Sequence, residues 1–261
     1  MEQKSGHMSV SLFKEFQKCE ARGKAIFDGD YKWPESEALL VGSYVDQKLT
    51  GTDETFAKFI ESHPGKILKK DGTPYAYLSK ADNAIDMLKK QPLAVECLNG
   101  EHQVTMEGEL EGVPVKGIFD TYRPGEWISD LKYVRALRTG ANESIISAYG
   151  YDLQAALYQE LVFQNTGKRL PFYFVLLTKD DVPRTCVCQI SQQNMDKAME
   201  VLKNNIGHYW SICTGETMPE RCGICDYCAQ TVTQDKPIDS DLIGLSNQDM
   251  NTVNDLLGGL I

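Results

Sequence analysis

The sequence predicts an α/β protein. Helices come first, then three consecutive strands, a long helix, two further strands and a closing helix, around a mixed sheet. Three observations predict it. Val113 to Tyr133 (VPVKGIFDTYRPGEWISDLKY) reads as two strands joined by a tight turn at Arg123-Pro124-Gly125-Glu126. Pro171 to Thr178 (PFYFVLLT) is nearly continuous apolar, as a buried strand requires. The segments on either side carry apolar residues at helical spacing.

In order, Val10 to Phe27 reads as one helix, with Leu12, Phe13, Phe16 and Ala25 as a partial apolar stripe, Ser9 or Ser11 as its cap and Cys19 along it. Glu37 to Leu49 and Thr52 to Ser62 follow as helices, the second stopped by His63-Pro64-Gly65. Lys69-Lys70-Asp71-Gly72 is a turn. Ser79 to Lys90 is a helix with Ala81, Ala84, Ile85 and Leu88 inward, and Pro92 to Gly100 closes this mostly helical part. Glu101 to Leu110 alternates as a strand and turns through Glu111-Gly112 into the hairpin, giving a three-stranded meander. Glu143 to Thr166 is a long helix carrying Tyr149, Gln154 and Tyr158. Arg184 to Ile190 pairs with the Pro171–Thr178 strand, with Cys186 and Cys188 as packing residues on one face. Ser191 to Cys213 is a helix whose stripe of Met195, Ala198, Met199, Leu202, Ile206 and Trp210 is core. Residues 1–8 read as a leader or cloning remnant, 9–229 as one domain with a helical insertion at about 52–100, and 230–261 as an apolar tail able to dock on its own domain, an oligomer or a partner.

At 261 residues and 42% hydrophobic content the chain can bury one sizeable core. It has no apolar run long enough for a membrane span and no signal-peptide core. The net charge of −10 argues against a broadly basic surface that coats DNA. A local basic groove, or an oligomer gathering its lysines and arginines around a channel, remains compatible with it. Eight cysteines without a secretion signal suggest a reducing cytoplasm.

The chemistry concentrates on the hairpin. Side chains two apart on a strand share a face, so Asp130 and Lys132 point the same way, and the turn can bring Asp120 alongside. Carboxylates with a neighbouring lysine suit a hard cation such as Mg²⁺ or Mn²⁺ and an attacking water. A surface hairpin with ordinary charges is the competing reading of D-x-K alone. Glu109 on the preceding strand is either a further site acid or an exposed edge residue. Arg135 and Arg138 form a positive cluster with Lys132, suited to phosphate contact or to a solvated loop. Cys222-x-x-Cys225-x-x-Cys228 offers three thiolates to a metal, one short of the usual four.

The order Gly117-Ile118-Phe119-Asp120, Asp130-Leu131-Lys132 and Gln154-Ala155-Ala156-Leu157-Tyr158 resembles the PD-(D/E)XK nuclease superfamily. It looks closest to its RecB/RecE-like branch of phage-type exonucleases related to exodeoxyribonuclease VIII, over about Ser9 to Cys228. The resemblance implies a restriction-endonuclease-like core and metal-dependent 5′ to 3′ hydrolysis of linear double-stranded DNA, leaving 5′-phosphates and feeding recombination with a single-strand annealing recombinase. It implies Asp120 and Asp130 as ligands, Lys132 positioning the water, and Gln154 and Tyr158 as support. Asp46 stands where the RecB-like family usually has a histidine. It either replaces that ligand or is a solvated acid. The resemblance also implies Cys19 as the fourth thiolate of a 4Fe–4S cluster, with zinc as the alternative. A CRISPR-adaptation-type nuclease has a similar cysteine layout, but the helical insertion fits phage exonucleases better. A non-catalytic DNA-binding scaffold that keeps the fold is the reading from outside the enzymes.

Overall fold

A computed structural model describes residues 6–32, 36–138 and 144–231. The expectations placed on the tail beyond 231 and on Glu143 fall outside these residues. In chain order the elements are α1 (Val10–Lys18), α2 (Glu20–Asp28), α3 (Glu37–Thr50), α4 (Asp53–Ser62), α5 (Ala76–Leu88), α6 (Pro92–Cys97), β1 (Glu101–Leu110), β2 (Val113–Arg123), β3 (Trp127–Val134), α7 (Ile145–Ala148), α8 (Tyr151–Thr166), β4 (Phe172–Thr178), β5 (Thr185–Gln189), α9 (Gln192–Thr214) and α10 (Asp226–Thr231). No helix among the described residues is long and apolar enough to cross a membrane.

The chain divides into two compact units. The larger comprises residues 34–110 and 114–204 and holds a five-stranded sheet in the order β1-β2-β3-β4-β5. β2 and β3 are antiparallel, β3 and β4 parallel, and β4 and β5 antiparallel. The sheet is therefore mixed, as the sequence predicts. The parallel step requires a crossover, and α7 and α8 supply it. One face of β3 and β4 presents Leu131, Val175 and Leu177 to a core built with Val41, Tyr44 and Val45 of α3 and Leu78, Ala81, Ala84, Ile85 and Leu88 of α5. On the other face, Phe172 and Phe174 lie against Tyr158 and Tyr151 of α8. Helices thus cover both faces, which is why β4 is buried almost throughout and reads as an unbroken apolar run.

Among the described residues the smaller unit comprises 6–32, 111–113 and 205–231. Here the single helix expected over Val10 to Phe27 is two. Ser9 caps α1 by accepting from the Leu12 N–H, but Cys19 is extended (φ −166°, ψ 111°) and breaks the helix. The cause is tertiary. The Ala21 N–H donates to the Glu220 carbonyl, and Glu20 Oε2 accepts the Glu220 N–H. A straight helix would keep the Ala21 N–H on the Gln17 carbonyl.

Two other expectations shift for local reasons. The helix expected from Ser79 starts at Ala76, after a Leu68–Pro74 bridge. The long helix expected from Glu143 is interrupted at Gly150, which adopts a left-handed conformation (φ +60°) between α7 and α8. On α9 the inward residue near the end is Tyr209, stacked on Phe16 and edge-on to Phe13, and Trp210 is only half-buried. Cys186 and Cys188 are half-exposed on the edge strand β5 rather than packed in the core.

Candidate active site and cysteine cluster

Asp130 sits on central strand β3 and is 1% exposed. Its carboxylate is reached from two directions. Gln154 of α8 donates from Nε2 to Oδ1 at 2.5 Å, and Lys132 Nζ lies 2.5 Å from Oδ2. Oδ2 has the ion pair but no directed hydrogen bond. Side chains two apart on β3 do share a face, and the helix that crosses over that face brings Gln154 onto it.

Asp120 reaches the same place through an irregularity in β2. The rings of Phe119 and Tyr122, three residues apart, are 6.3 Å from each other. Strict alternation would put them on opposite faces, so the period of two breaks between them, as at a bulge. The β2–β3 register runs from Arg123↔Trp127 to Thr121↔Ser129. Beyond it, Asp120 Oδ2 accepts the Leu131 N–H at 3.1 Å in place of a backbone partner.

Asp46 enters from α3. Thr50 Oγ1 donates to its Oδ1 at 2.9 Å and Gln103 Nε2 to its Oδ2 at 3.4 Å. Gln103 holds a left-handed backbone (φ +53°), a costly conformation for a residue with a side chain. Nothing in the sequence signalled Gln103, because backbone strain leaves no periodicity. Its neighbour His102 is bound through Nδ1 to the Asp120 carbonyl at 3.0 Å.

The electrostatics match this crowding. Burial pushes the Asp120 carboxyl well above its ordinary range, and the charges of Asp130 and Asp46 push it further. Burial likewise raises Asp46, with Asp130 adding to it and the Thr50 hydroxyl and Lys132 opposing. Burial alone would pull the Lys132 ammonium down, but Asp130 and Asp120 together raise it. Three carboxylates face one ammonium, so the pocket is short of positive charge. Its oxygen-only donors fit a hard divalent cation, for which Asp120 and Asp130, with Asp46, are the candidate ligands. Both acids have raised affinity for protons, so a cation competes with protonation there and its affinity rises with pH.

Tyr158, one turn after Gln154, donates its hydroxyl to the Ile118 carbonyl at 2.8 Å. Burial, then the Asp130 charge, raise its phenol to about 12, so it stays protonated. The Tyr158 ring also explains Gly117. A Cβ built at Gly117 would lie 2.8 Å from Tyr158 Cε1 and 3.0 Å from Leu161 Cδ1. Gly117→Ala is therefore expected to destabilise the protein by about 1–3 kcal/mol and to lower any activity by moving Tyr158. Thermal melting checks this, and an unchanged melting temperature would contradict the packing.

One sequence candidate lies elsewhere. Glu109 is exposed, and its backbone is clamped by Gln164, which accepts its N–H at 3.0 Å and donates to its carbonyl at 2.7 Å. The β1 residue that touches the acidic cluster is Gln103 instead, because Glu109 lies at the other end of that strand. Arg135 and Arg138 are exposed on the stretch after β3. The sequence reading assigned no role to Tyr151, whose ring lies 5.4 Å from Lys132 Nζ. Its position three residues before Gln154 on one helix face was the available signal.

The second cluster lies in the smaller unit. The metal-ligating atoms of Cys19, Cys222, Cys225 and Cys228 all fall within 4.8 Å of one another. Cys228 Sγ is 3.7 Å from Cys19 Sγ and 4.0 Å from Cys222 Sγ. Cys19 thus stands at the α1–α2 break, not along a helix. Gly223 (φ +73°) makes the tight turn between Cys222 and Cys225, and α10 carries Cys228. Burial raises the Cys19 thiol to about 12. At Cys222 burial also raises, but the N–H groups of Ile224 and Cys225, with Cys225 and Cys19, outweigh it and bring the thiol to about 7. Four sulfurs at this spacing can surround one tetrahedral ion at Zn–S distances of about 2.3 Å. A 4Fe–4S cluster gives each thiolate its own iron, so the sulfurs would move apart to accept it.

Comparison with known proteins agrees with this fold. A crystal structure from Eubacterium rectale, described as a "putative exonuclease", superposes with a TM-score of 0.86 at 31% identity, over 93% of this chain and 95% of that one. The structure of SSO0001 aligns over 87% of this chain and 98% of that one, at 14% identity and a TM-score of 0.31, and carries no argument. Among curated proteins none matches significantly. The mixed sheet flanked by helices is the restriction-endonuclease-like fold. The model of a PDDEXK-like domain of unknown function (DUF3799) matches residues 9–231, and the chain belongs to that family.

Proposed function

We propose that the protein is a divalent-metal-dependent exonuclease acting on linear double-stranded DNA. One observation carries the reading. Lys132 and Gln154 contact the buried Asp130, and Asp120 and Tyr158, held by the Leu131 N–H and the Ile118 carbonyl, lie close enough to feel its charge. Family membership supports a nuclease, and the Eubacterium rectale structure supports an exonuclease. Polarity from the 5′ end, Mg²⁺ as the working ion, a role in phage-type recombination beside an annealing recombinase, and a cytoplasmic setting rest on the motif resemblance.

In this mechanism Asp120 and Asp130 would hold the cation, with Asp46 and the Leu131 carbonyl as further candidate ligands. A bound divalent ion lowers the pKa of its water and neutralises charge on the phosphoryl oxygen. Lys132 orients the attacking water and offsets negative charge that builds on the phosphate. Water oxygen bonds to phosphorus as the bond to the 3′-oxygen breaks, leaving a 5′-phosphate and a 3′-hydroxyl. Gln154 fixes the Asp130 carboxylate, and Tyr158 holds β2 through the Ile118 carbonyl. The four-cysteine site is a structural metal centre in the same proposal.

Linear duplex labelled at either the 5′ or the 3′ end, with a covalently closed circle beside it, tests the reading. Progressive loss of the linear DNA only, dependent on Mg²⁺ and stopped by EDTA, is expected. The label released first gives the polarity. Absence of cleavage with Mg²⁺ or Mn²⁺, by protein whose cysteine centre is intact, would favour the non-catalytic DNA-binding reading.

A further inference from the structure

The carboxyl ends of the parallel strands hold a lysine that the mechanism above does not use. In the β3–β4 register Lys132 lies opposite Leu176 and Val134 opposite Thr178, so both strands end at the same edge of the sheet. There the Lys179 N–H donates to the Val134 carbonyl at 2.9 Å. Lys179 thus stands about 10 Å beyond the level of Lys132, next to the exposed Arg135. Its side chain is partly buried, with the ammonium 5.1 Å from the centre of the Tyr133 ring. The acids nearest in sequence are turned to other cations. Asp180 Oδ2 accepts from Arg184 at 2.6 Å and from the Thr178 hydroxyl at 2.9 Å, and Asp181 pairs with Lys80 at 2.7 Å. Among the described residues no carboxylate pairs with Lys179.

Withdrawing an ammonium from water without a counter-charge costs stability. Burial indeed pulls Lys179 below the ordinary lysine range, and no carboxylate opposes it. In a chain of net charge −10, a lysine left without an acid needs a reason. The Tyr133 ring seats the ammonium but does not neutralise it, so an anion can still bind. Phosphates of the DNA backbone are such anions, and contacts to them supply most of the affinity of DNA-binding proteins. In open α/β sheets, ligands collect outside the carboxyl ends of the strands. Asp120 on β2, Lys132 on β3 and Lys179 after β4 also follow the order of the strands across the sheet. We propose that Lys179, seated on Tyr133 beside Arg135, is a second phosphate subsite, which binds the backbone of the DNA strand whose scissile phosphate lies at Lys132. The proposal rests on the nuclease reading and adds to it the path of the strand over the ends of β3 and β4.

Lys179→Met keeps the apolar stem over Tyr133 and removes only the charge, so it tests the subsite. Binding of fluorescent linear duplex is read as Kd in EDTA and as KM with Mg²⁺, each over a range of salt. At low salt Lys179→Met weakens both about tenfold, the scale of one hydrogen bond between charged groups. The slope of log affinity against log salt becomes shallower by about 0.9, the value of one phosphate contact, and the loss is the same for duplexes of different sequence. Lys179→Arg keeps the wild-type slope. Lys58→Met, which removes a lysine paired with Glu54 on α4, also keeps it. Because the lysine is held without a counter-charge, Lys179→Met melts no lower than wild type. A folded Lys179→Met with the wild-type slope, or a Lys58→Met that flattens the slope equally, overturns the subsite and leaves the nuclease reading standing. A Lys179→Met that melts several degrees lower assigns the lysine to folding and overturns it too. A wild type that neither binds nor degrades DNA overturns both readings.

Discussion

Asp130→Asn loses about three orders of magnitude in DNA cleavage, the scale on which active sites depend on one placed charge, and the protein remains folded. The side chain keeps its shape and its Oδ1, so Gln154 retains its partner. Lys132 loses its ion pair, which destabilises, but Asp120 and Asp46 are relieved of the nearest like charge, which stabilises. The two effects oppose each other, and melting should move by only a few degrees. Lys132→Ala should be similarly inactive, through loss of the ammonium that handles water and charge. Initial rates on end-labelled duplex, with melting curves as the folding control, decide the matter. A folded Asp130→Asn with wild-type rates would remove Asp130 from the chemistry and with it the proposed centre of the site.

Cys19→Ser and Cys225→Ser are expected to release the metal from the four-cysteine site and to destabilise the smaller unit by about 3–5 kcal/mol. That is a fraction of the roughly 10 kcal/mol of binding free energy that thiolate sites supply in zinc-dependent peptides. The size follows from the connectivity. Cys19 and Cys228 are 209 residues apart and their sulfurs are 3.7 Å apart, so a shared metal closes a very long loop. Metal analysis of anaerobically purified protein checks the loss and identifies the ion. Iron with acid-labile sulfide and a brown colour is the result that the family resemblance implies. Zinc in a colourless protein would keep the staple and change its chemistry. Wild-type protein without metal, or serine variants that melt like wild type, would end the staple idea. The proposed catalytic residues all belong to the other unit. Residual cleavage by the serine variants at low temperature would therefore separate stability from catalysis.

Much of this organisation was legible in the chain because local rules dominated it. The Arg123–Glu126 turn, the alternation on either side and the apolar run of β4 placed three strands nearly to the residue. Asp130 and Lys132 share a face by strand periodicity, and Gln154 and Tyr158 share one by helical periodicity. Cys19 as the fourth thiol came from the family resemblance and from no local pattern. Glu109 misled because alternation says which face a residue takes but not which end of a strand meets the site. Tyr149 was read as a helix residue because a single glycine, Gly150, does not announce that it will turn left-handed.

By itself, then, the sequence determined the fold class, the order of its elements and the three motifs, since each depends on spacings of two or four residues along one strand or helix. Only the tertiary structure decided how the motifs meet. The break in β2 that delivers Asp120 to the Leu131 N–H, the strained Gln103 beside Asp46, the Tyr158 ring that leaves room only for glycine at 117, and the extended Cys19 held among three distant thiols each need a partner far away in the chain. The physical reason is that local patterns record which face a side chain takes. What that face meets is set by crossovers, caps and close contacts whose energies appear only when the chain has folded.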